Sequence, residues 1–142
     1  MELKPYVRQA QYYETDQMGV IHHANYIHWM EEARVDYLDQ SGFGYRAMEE
    51  QGISSPVLRL ECSYLRSTAF GETVEIRLRM ARYNGVRMVL DYEMREKESG
   101  QLRLTARSEH CFLKGGRPVS LKRVCPAYDQ VFRAMQEETA EG

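Results

Sequence analysis

The chain has 142 residues, a formal net charge of −2 and an isoelectric point near 6.1. With 43% apolar and 28% charged residues, we expect one globular domain over residues 1–142. The weak negative charge argues against a general nucleic-acid partner. No apolar run approaches the ~20 residues that span a bilayer, and the opening MELKPYVRQA lacks the apolar core of a signal peptide, so we expect a cytoplasmic protein.

A first strand is predicted over residues 3–12, and a turn and a long helix follow it. The helix prediction rests on apolar residues at helical spacing, namely Tyr26, Met30, Ala33 and Tyr37, with Ile27 and Leu38 widening the stripe. Asn25 can cap the amino terminus, and Gly42 can take the positive φ of the residue beyond the other end. The predicted helix has about fifteen residues and a length of roughly 22 Å.

The turn before this helix concentrates reactive and turn-forming residues. Asp16, Gly19, His22, His23 and Asn25 lie within ten positions. The first amides of the helix face this turn and together carry roughly half an elementary positive charge, so they can bind an anion or an oxygen that becomes one. This arrangement suits a catalytic site.

The rest of the chain changes from helical to strand periodicity. A short helix is predicted at 45–51, and alternating apolar residues then predict strands near 58–64, 73–80, 88–94 and 102–112. Asn84-Gly85 predicts a type I′ hairpin turn and Ser99-Gly100 the next turn. A last helix is predicted over 126–138, and the tail at 139–142 is expected to fray.

These elements amount to one long early helix and five antiparallel strands. The apolar stripe of the helix needs a cover, and each strand offers one apolar face. The economical packing is therefore an α+β fold in which a five-stranded antiparallel sheet wraps around a central helix. The free edge of such a sheet invites pairing with a second copy, so we expect a homo-oligomer, either a dimer or a tetramer.

The run YETDQMGVIHHANY at 13–26, followed by Trp29 and by EEAR at 31–34, resembles the signature of hotdog-fold acyl-CoA thioesterases of the 4-hydroxybenzoyl-CoA thioesterase type, including the bacterial enzymes associated with the Tol–Pal locus. The resemblance covers nearly the whole chain, since FGETVEI at 70–76 and GGRPVSL at 115–121 also follow the family layout. It implies the hotdog fold and hydrolysis of an acyl-CoA to a carboxylic acid and coenzyme A. It implies no cofactor beyond the coenzyme A of the substrate.

Hydrolysis of a thioester needs a carboxylate near the carbonyl, as nucleophile or general base, and a donor aimed at the developing oxyanion. The resemblance assigns these roles to Asp16 and to the backbone N–H of His23. From local sequence alone, Asp16 could equally be a residue that closes the turn ahead of Gly19. A related hotdog branch carries its catalytic carboxylate on the helix, which makes Glu31 or Glu32 the rival to Asp16.

Three other side chains near Asp16 are catalytic candidates. His23 can orient Asp16 or a water molecule, or it can simply pack at the helix start. Asn25 can bind water or substrate only if another residue caps the helix. Tyr13 can present a hydroxyl near Asp16 or serve as a packing residue.

Substrate binding is expected from the same turn and from the strands. Met18 and Trp29 suggest an apolar acyl slot, with Gly19 and His22 beside them, and the acyl group could be aromatic, short or long aliphatic. In the family, the phosphates of coenzyme A meet basic residues from strand ends and from the partner subunit. The candidates are Arg59, Arg66, Arg82, Arg87 and Lys114.

Other chemistries have less support. The histidines at 22, 23 and 28 lack the i, i+4 spacing of metal ligands on one helix face, so no metal site is expected. Cys62, Cys111 and Cys125 show no CxxC spacing and are expected to be free buried thiols. His110 is expected to be structural. Two alternatives remain open: a non-catalytic acyl-CoA-binding hotdog module, and a hotdog hydratase or dehydratase.

Overall fold

The computed structural model describes residues 3–141, with side chains described over 3–138. The elements in chain order are β1 (Tyr6–Gln9), α1 (His23–Gln40), α2 (Tyr45–Glu50), β2 (Ile53–Ser54), β3 (Val57–Tyr64), β4 (Thr73–Tyr83), β5 (Arg87–Glu96), β6 (Leu102–Cys111), β7 (Leu113–Lys114), β8 (Arg117–Pro118), α3 (Leu121–Val124) and α4 (Pro126–Glu141). A single 3-10 turn, Tyr12–Glu14, lies between β1 and α1.

The main sheet has five antiparallel strands, as predicted, and their order is β1-β4-β5-β6-β3. β1 is shorter than the predicted strand because the chain turns after Gln9. A second, small sheet in the order β2-β7-β8 and the short helix α3 have no counterpart in the predictions. Strands of two residues and a helix of one turn are too short to show a period in the sequence.

The central helix α1 packs its apolar side on the sheet. It begins three residues before the predicted start and has 18 residues. The predicted stripe is buried except at Ile27, which is 41% exposed; Trp29 and Arg34 lie in the core instead. Because the buried positions then recur at i, i+3, i+4, i+7 and i+8, they follow the 3.6-residue period more closely than the predicted set does. Gly42, with φ of 84°, is the predicted residue beyond the helix end.

The strand alternation holds through most of β4, where Val74, Ile76 and Met80 are buried. A β-bulge at Ala81 then interrupts the pairing with β5, since the register shifts between Met80 and Arg82. The extra residue reverses the faces, so Tyr83 enters the core.

The turn between β4 and β5 differs from the prediction. A type I′ turn needs positive φ at both central residues, but within residues 3–141 only glycines have positive φ, Gly85 among them. Asn84 acts through its side chain instead, because its Oδ1 accepts hydrogen bonds from the amides of Val86 at 3.0 Å and Arg87 at 2.7 Å.

The last helix, α4, closes the end of the sheet. Tyr83 of β4 packs edge to face on Phe132 with a centroid separation of 5.6 Å, and its hydroxyl donates to Asp129 at 2.7 Å. The hydroxyl of Tyr128 donates to the carbonyl of Gly44 at 2.8 Å, which ties α4 to the start of α2. The backbone is helical as far as Glu141; the side chains of 139–141 and the whole of residue 142, on which the fraying prediction falls, lie outside the described part.

Two further properties concern the sequence predictions. Cys62, Cys111 and Cys125 are free thiols, with Cys62 only half-buried and the other two buried. Among the helices formed by residues 3–141, none combines the length and apolar character needed to cross a bilayer.

Candidate active site

The residues before α1 form a tight turn that carries Asp16. Thr15 and Ile21 are joined as an antiparallel bridge, and the amide of Asp16 donates to the carbonyl of Val20 at 2.8 Å. The amide of Gly19 donates back to the carbonyl of Asp16 at 3.1 Å, with Gly19 at φ of 79°. This positive φ, which a glycine adopts without steric cost, lets the chain reverse between Asp16 and the helix.

The Asp16 side chain is half-buried and held on one side only. Its Oδ1 accepts the amide N–H of Met18 at 2.8 Å, as in an Asx turn. No other hydrogen bond or ion pair of Asp16's side chain occurs within the described residues. Asp16 thus closes the turn with one oxygen, and its second oxygen has no partner in the described part of the chain.

The helix start differs from the prediction in its cap. α1 begins at His23, and the ring Nδ1 of His22 accepts the amide N–H of Ala24 at 3.2 Å, so His22 is the N-cap. Asn25 lies inside the first turn and its Nδ2 donates to the carbonyl of Glu14 at 3.0 Å. The prediction of Asn25 as the cap was wrong, because the helix starts three residues earlier, at His23, and the amide of Ala24 is met by the ring of His22.

The backbone N–H of His23 is the first amide of α1. Within the described residues it donates no hydrogen bond, whereas the neighbouring amides of His22, Ala24 and Asn25 all do. An unbonded amide at a helix start lies in the positive end of the helix dipole and is a ready donor to an oxyanion. This amide directly follows the turn of Asp16 in the chain.

Two aromatic contacts surround the imidazole of His23. It stacks on His22 with a ring separation of 4.4 Å and an interplanar angle of 24°. Tyr64, at the end of β3, lies edge to face with His23 at 6.2 Å and near Tyr26 at 5.8 Å. Burial, reinforced by Cys62, raises the pKa of the Tyr64 hydroxyl, so it stays protonated at neutral pH. No described hydrogen bond or ion pair links the His23 ring to Asp16.

The rival carboxylates lie farther along the helix. Glu31 and Glu32 are eight and nine residues beyond His23, roughly 12 to 14 Å up the axis. Glu32 is engaged with β1, since its Oε1 accepts the hydroxyl of Tyr6 at 2.8 Å and Nε of Arg8 at 3.1 Å. Glu31 is exposed and borders a cleft of about 460 Å³ between α1 and residues 53–57.

The predicted acyl-binding residues separate into exposed and buried groups. Met18 is 81% exposed and Tyr13 is 78% exposed, and Gly19 and His22 are also exposed, so all four are open to a ligand beside Asp16. Trp29 has no exposed surface, and its Nε1 donates to Glu14 at 2.7 Å. Trp29 is therefore a core residue and cannot line an acyl slot, contrary to the prediction.

The basic candidates lie at different distances from the helix start. Arg66 follows β3 two residues after Tyr64 and is exposed. Arg59 is paired with Glu61 on the same strand. Arg82 lies nine residues along β4 from Thr73, roughly 30 Å at a strand rise of 3.3 Å, and so at the far end of the sheet.

Arg87 and Lys114 complete the basic set. Arg87 opens β5 and faces solvent, in the cleft that also contains Arg82. Lys114 is an exposed residue of the small sheet and pairs in register with Ile53 and Arg117. Arg66 is therefore the predicted basic residue that lies nearest along the chain to the aromatic group around His23.

Two residues near the site were not singled out by the sequence. Glu14 is 3% exposed, and its carbonyl accepts the amide of His22 at 2.8 Å. Tyr64 packs on His23 although it lies 41 positions later in the chain. Only the strand pairing brings Tyr64 here, and a glutamate beside two tyrosines carries no local signal of burial.

Comparisons with known proteins agree with this fold. The sequence profile of the Thioesterase-like superfamily matches residues 11–134. A solved structure of DHNA-CoA thioesterase from Staphylococcus aureus has a TM-score of 0.92 and 37% identity, covering 98% of this chain and 94% of that one. A hypothetical protein, TT1821 from Thermus thermophilus, has a TM-score of 0.82 and 30% identity, covering 93% and 96%. The Bacillus subtilis (strain 168) protein named "Putative acyl-CoA thioesterase YneP" is 34% identical over 126 residues, 87% of this chain and 91% of its own.

Fold and relatives together define a thioester hydrolase of the hotdog fold, in which the five-stranded sheet wraps around α1. The chain belongs to the Thioesterase-like superfamily.

Proposed function

We propose that the protein hydrolyses an acyl-CoA thioester to a carboxylic acid and coenzyme A, with Asp16 as the working carboxylate and the backbone N–H of His23 as the oxyanion donor. One observation carries this proposal: within the described residues, Asp16 has a carboxylate oxygen without a partner in the turn that leads into α1, and the first amide of that helix has no acceptor. A carboxylate and an oxyanion donor are the two groups that thioester hydrolysis needs.

The reaction can follow either of two balanced routes. As a general base, Asp16 takes a proton from water while the water oxygen bonds to the thioester carbon, and the carbonyl oxygen becomes an oxyanion held by the N–H of His23. The carbon–sulfur bond then breaks, and the coenzyme A thiolate takes up the proton. As a nucleophile, Asp16 forms an anhydride and releases the thiolate, and water then hydrolyses the anhydride. No cofactor is needed in either route.

The choice of coenzyme A as the thiol half is supported by the names of the relatives, which include a DHNA-CoA thioesterase and an acyl-CoA thioesterase. The exposed Arg66 near Tyr64 is the basic residue best placed in one chain for a phosphate. Arg82 and Arg87 lie together at the far end of the sheet, where they could serve only a site that includes a second chain.

We further propose that the protein works as a homodimer or a homotetramer in the cytoplasm. Among the strands formed by residues 3–141, β3 pairs with β6 alone, and its other edge is open in the sheet of one chain. Exposed apolar side chains follow this edge, namely Val57, Leu58, Tyr64 and Leu65, at 47% to 51% exposure. An open, apolar edge strand is a surface that proteins normally cover, and a second copy covers it symmetrically. The three free thiols suit a reducing compartment.

The test is release of free coenzyme A thiol from a panel of aromatic, short aliphatic and long aliphatic acyl-CoAs. Catalytic release above the rate without protein supports the proposal, and the preferred acyl group identifies the substrate class. Tight binding of acyl-CoA without turnover would point to a binding module. Addition of water to an enoyl-CoA without thiol release would point to a hydratase.

A further inference from the structure

The most connected side chain beside the turn of Asp16 is the buried carboxylate of Glu14. Its Oε2 accepts Nε1 of Trp29 at 2.7 Å and Nη2 of Arg8 at 3.0 Å. Its Oε1 accepts the amide of Gln11 at 2.9 Å and Nη1 of Arg8 at 3.2 Å. One carboxylate thereby joins β1, the 3-10 turn and α1.

The backbone of Glu14 makes a second set of links. Its carbonyl accepts both the amide of His22 at 2.8 Å and Nδ2 of Asn25 at 3.0 Å. Glu14 immediately precedes Thr15, which bridges to Ile21 and so closes the turn. The segment leading into Asp16 is therefore fastened to the N-cap and to the first turn of α1.

The cation that pairs with Glu14 is Arg8, which it shares with Glu32. Arg8 is 17% exposed, grips Glu14 with both Nη atoms and also lies over the ring of Trp29, with Cζ 5.4 Å from the ring centroid. A buried carboxylate needs such a partner, because an unpaired charge in the interior is costly. The carboxylate is 3% exposed and all four of its bonds go to protein, so Glu14 itself cannot contact a substrate.

We propose that Glu14 is a positioning residue that sets Asp16 against the oxyanion donor of His23. This inference rests on the proposed function. The carboxylate and the amide act on the carbon and the oxygen of one substrate carbonyl group, so their separation must be held closely, and a misplacement of about 1 Å can cost ~100-fold in rate. Glu14 fixes that separation because its side chain is anchored on α1 and β1 while its carbonyl binds the helix start.

The first test is Glu14→Gln. The amide oxygen can still accept from Trp29, but the ion pair with Arg8 is lost and Arg8 keeps only Glu32, so the turn is loosened while the volume is kept. We expect kcat to fall ~10- to 100-fold with KM changed by less than about twofold, since Asp16 and His23 are displaced but the exposed binding surface is not. The emission spectrum of Trp29, the one tryptophan of the chain, should shift in this variant.

The matched control is Asp129→Asn. Asp129 is also a buried carboxylate, at 5% exposure, and likewise accepts an aromatic donor, the Tyr83 hydroxyl, and an arginine, Arg133. It lies on α4, away from the turn. We expect a comparable loss of thermal stability but a kcat within about twofold of wild type and unchanged tryptophan emission. Equal losses of kcat in both variants would reduce Glu14 to general core support and overturn the proposal.

The closing test combines Glu14→Gln with Asp16→Asn. If Glu14 acts by placing Asp16, the double variant should have the kcat of Asp16→Asn alone, within about twofold. Multiplying losses would show that Glu14 acts independently of Asp16. If Glu14→Gln does not fold, Trp29→Phe removes one bond to the carboxylate without removing the ring packing, and a kcat loss of ~3- to 10-fold is expected; an unchanged kcat would overturn the proposal.

The same set of variants separates the two proposals. Wild-type kcat in folded Asp16→Asn would remove Asp16 from the mechanism and so defeat the proposed function. A strong effect of Asp16→Asn together with wild-type kcat in Glu14→Gln would leave the proposed function intact and defeat the positioning role alone.

Discussion

The amide of Met18 donates to Oδ1 of Asp16 at 2.8 Å, which leaves the second oxygen of that carboxylate without a described partner. The two interpretations of Asp16 that the sequence allowed, a turn residue and a catalytic carboxylate, are therefore compatible. One oxygen fixes the orientation of the side chain, and the other is free to meet water or the thioester carbon.

The first prediction concerns Asp16→Asn. The amide oxygen of asparagine can still accept from Met18, so the turn should be kept, but a neutral amide is neither a base nor a nucleophile. We expect kcat to fall at least ~100-fold with acyl-CoA binding retained. Thiol release gives kcat, and circular dichroism checks the fold. A folded variant with nearly normal turnover would contradict the assignment.

The second prediction separates Asp16 from the glutamates of α1. Glu31→Gln and Glu32→Gln should each cost less than ~10-fold in kcat/KM, about 1.4 kcal/mol, because both carboxylates lie two turns or more beyond the amide of His23. Glu32→Gln should also lower the melting temperature slightly, since Glu32 binds Tyr6 and Arg8. Loss of all activity in either variant, with a mild effect of Asp16→Asn, would favour the helical carboxylate.

The third prediction concerns acid stability and rests on His110. Burial, and then the charge of Arg34, lower its pKa to about 4 from the ordinary 6.5, and its Nε2 bonds to Ser108 at 2.7 Å. Between these two pH values the unfolded chain binds a proton that the folded chain excludes. The contribution of His110 to the free energy of unfolding is therefore fully present above pH 6.5. It is lost as the pH falls toward 4, by ~3 kcal/mol.

The matched variant for this effect is His110→Gln, which keeps a group able to bond Ser108 but does not titrate. Urea unfolding at pH 7 and at pH 4 should show a larger loss for the wild type than for the variant, because the acidic groups contribute equally to both. Equal losses of unfolding free energy in the two proteins would mean that His110 does not cause the loss of stability in acid.

The fourth prediction concerns assembly. Leu58 of β3 and Leu65, the residue after its end, are 47% and 51% exposed, so Leu58→Lys/Leu65→Lys should put charge on that edge and shift the protein toward a monomer in light scattering. Val7→Lys, at a position also 47% exposed but on β1 at the opposite edge of the sheet, should leave the assembly unchanged. A wild-type protein that is monomeric and fully active would contradict the proposed homo-oligomer.

The sequence predicts the layout of the fold because periodicity reports burial directly. Alternating residues such as Val74 and Ile76 are buried in β4, and the helical stripe that includes Met30 and Ala33 covers α1. The two-residue strands of the small sheet and the four-residue helix α3 escaped prediction, since no period fits within them. Local chemistry was also ambiguous at Asn84, where a side-chain carbonyl replaces the positive φ that an Asn-Gly pair suggests.

The candidate site was only partly predictable from the sequence. The motif placed Asp16 and His23 in one turn, but three-dimensional partners decided the roles of its neighbours. The ring of His22 caps α1 in place of Asn25, and the buried Trp29 donates a hydrogen bond to Glu14. The spacing of residues 14 and 29 is the same whether the glutamate and the tryptophan bond in the core or lie on the surface, so the sequence does not distinguish the two cases.

Because of the bulge at Ala81, β4 should tolerate the deletion of one residue at that position. Deleting Ala81 would restore a regular ladder with β5 and leave Met80 and Tyr83 on the faces they now occupy. Deleting Arg77 instead would turn Met80 from the core into solvent. A shortened chain lacking Ala81 should therefore still fold, while the same loss four residues earlier should not, and natural relatives that differ by one residue in this strand would be expected to differ at the bulge.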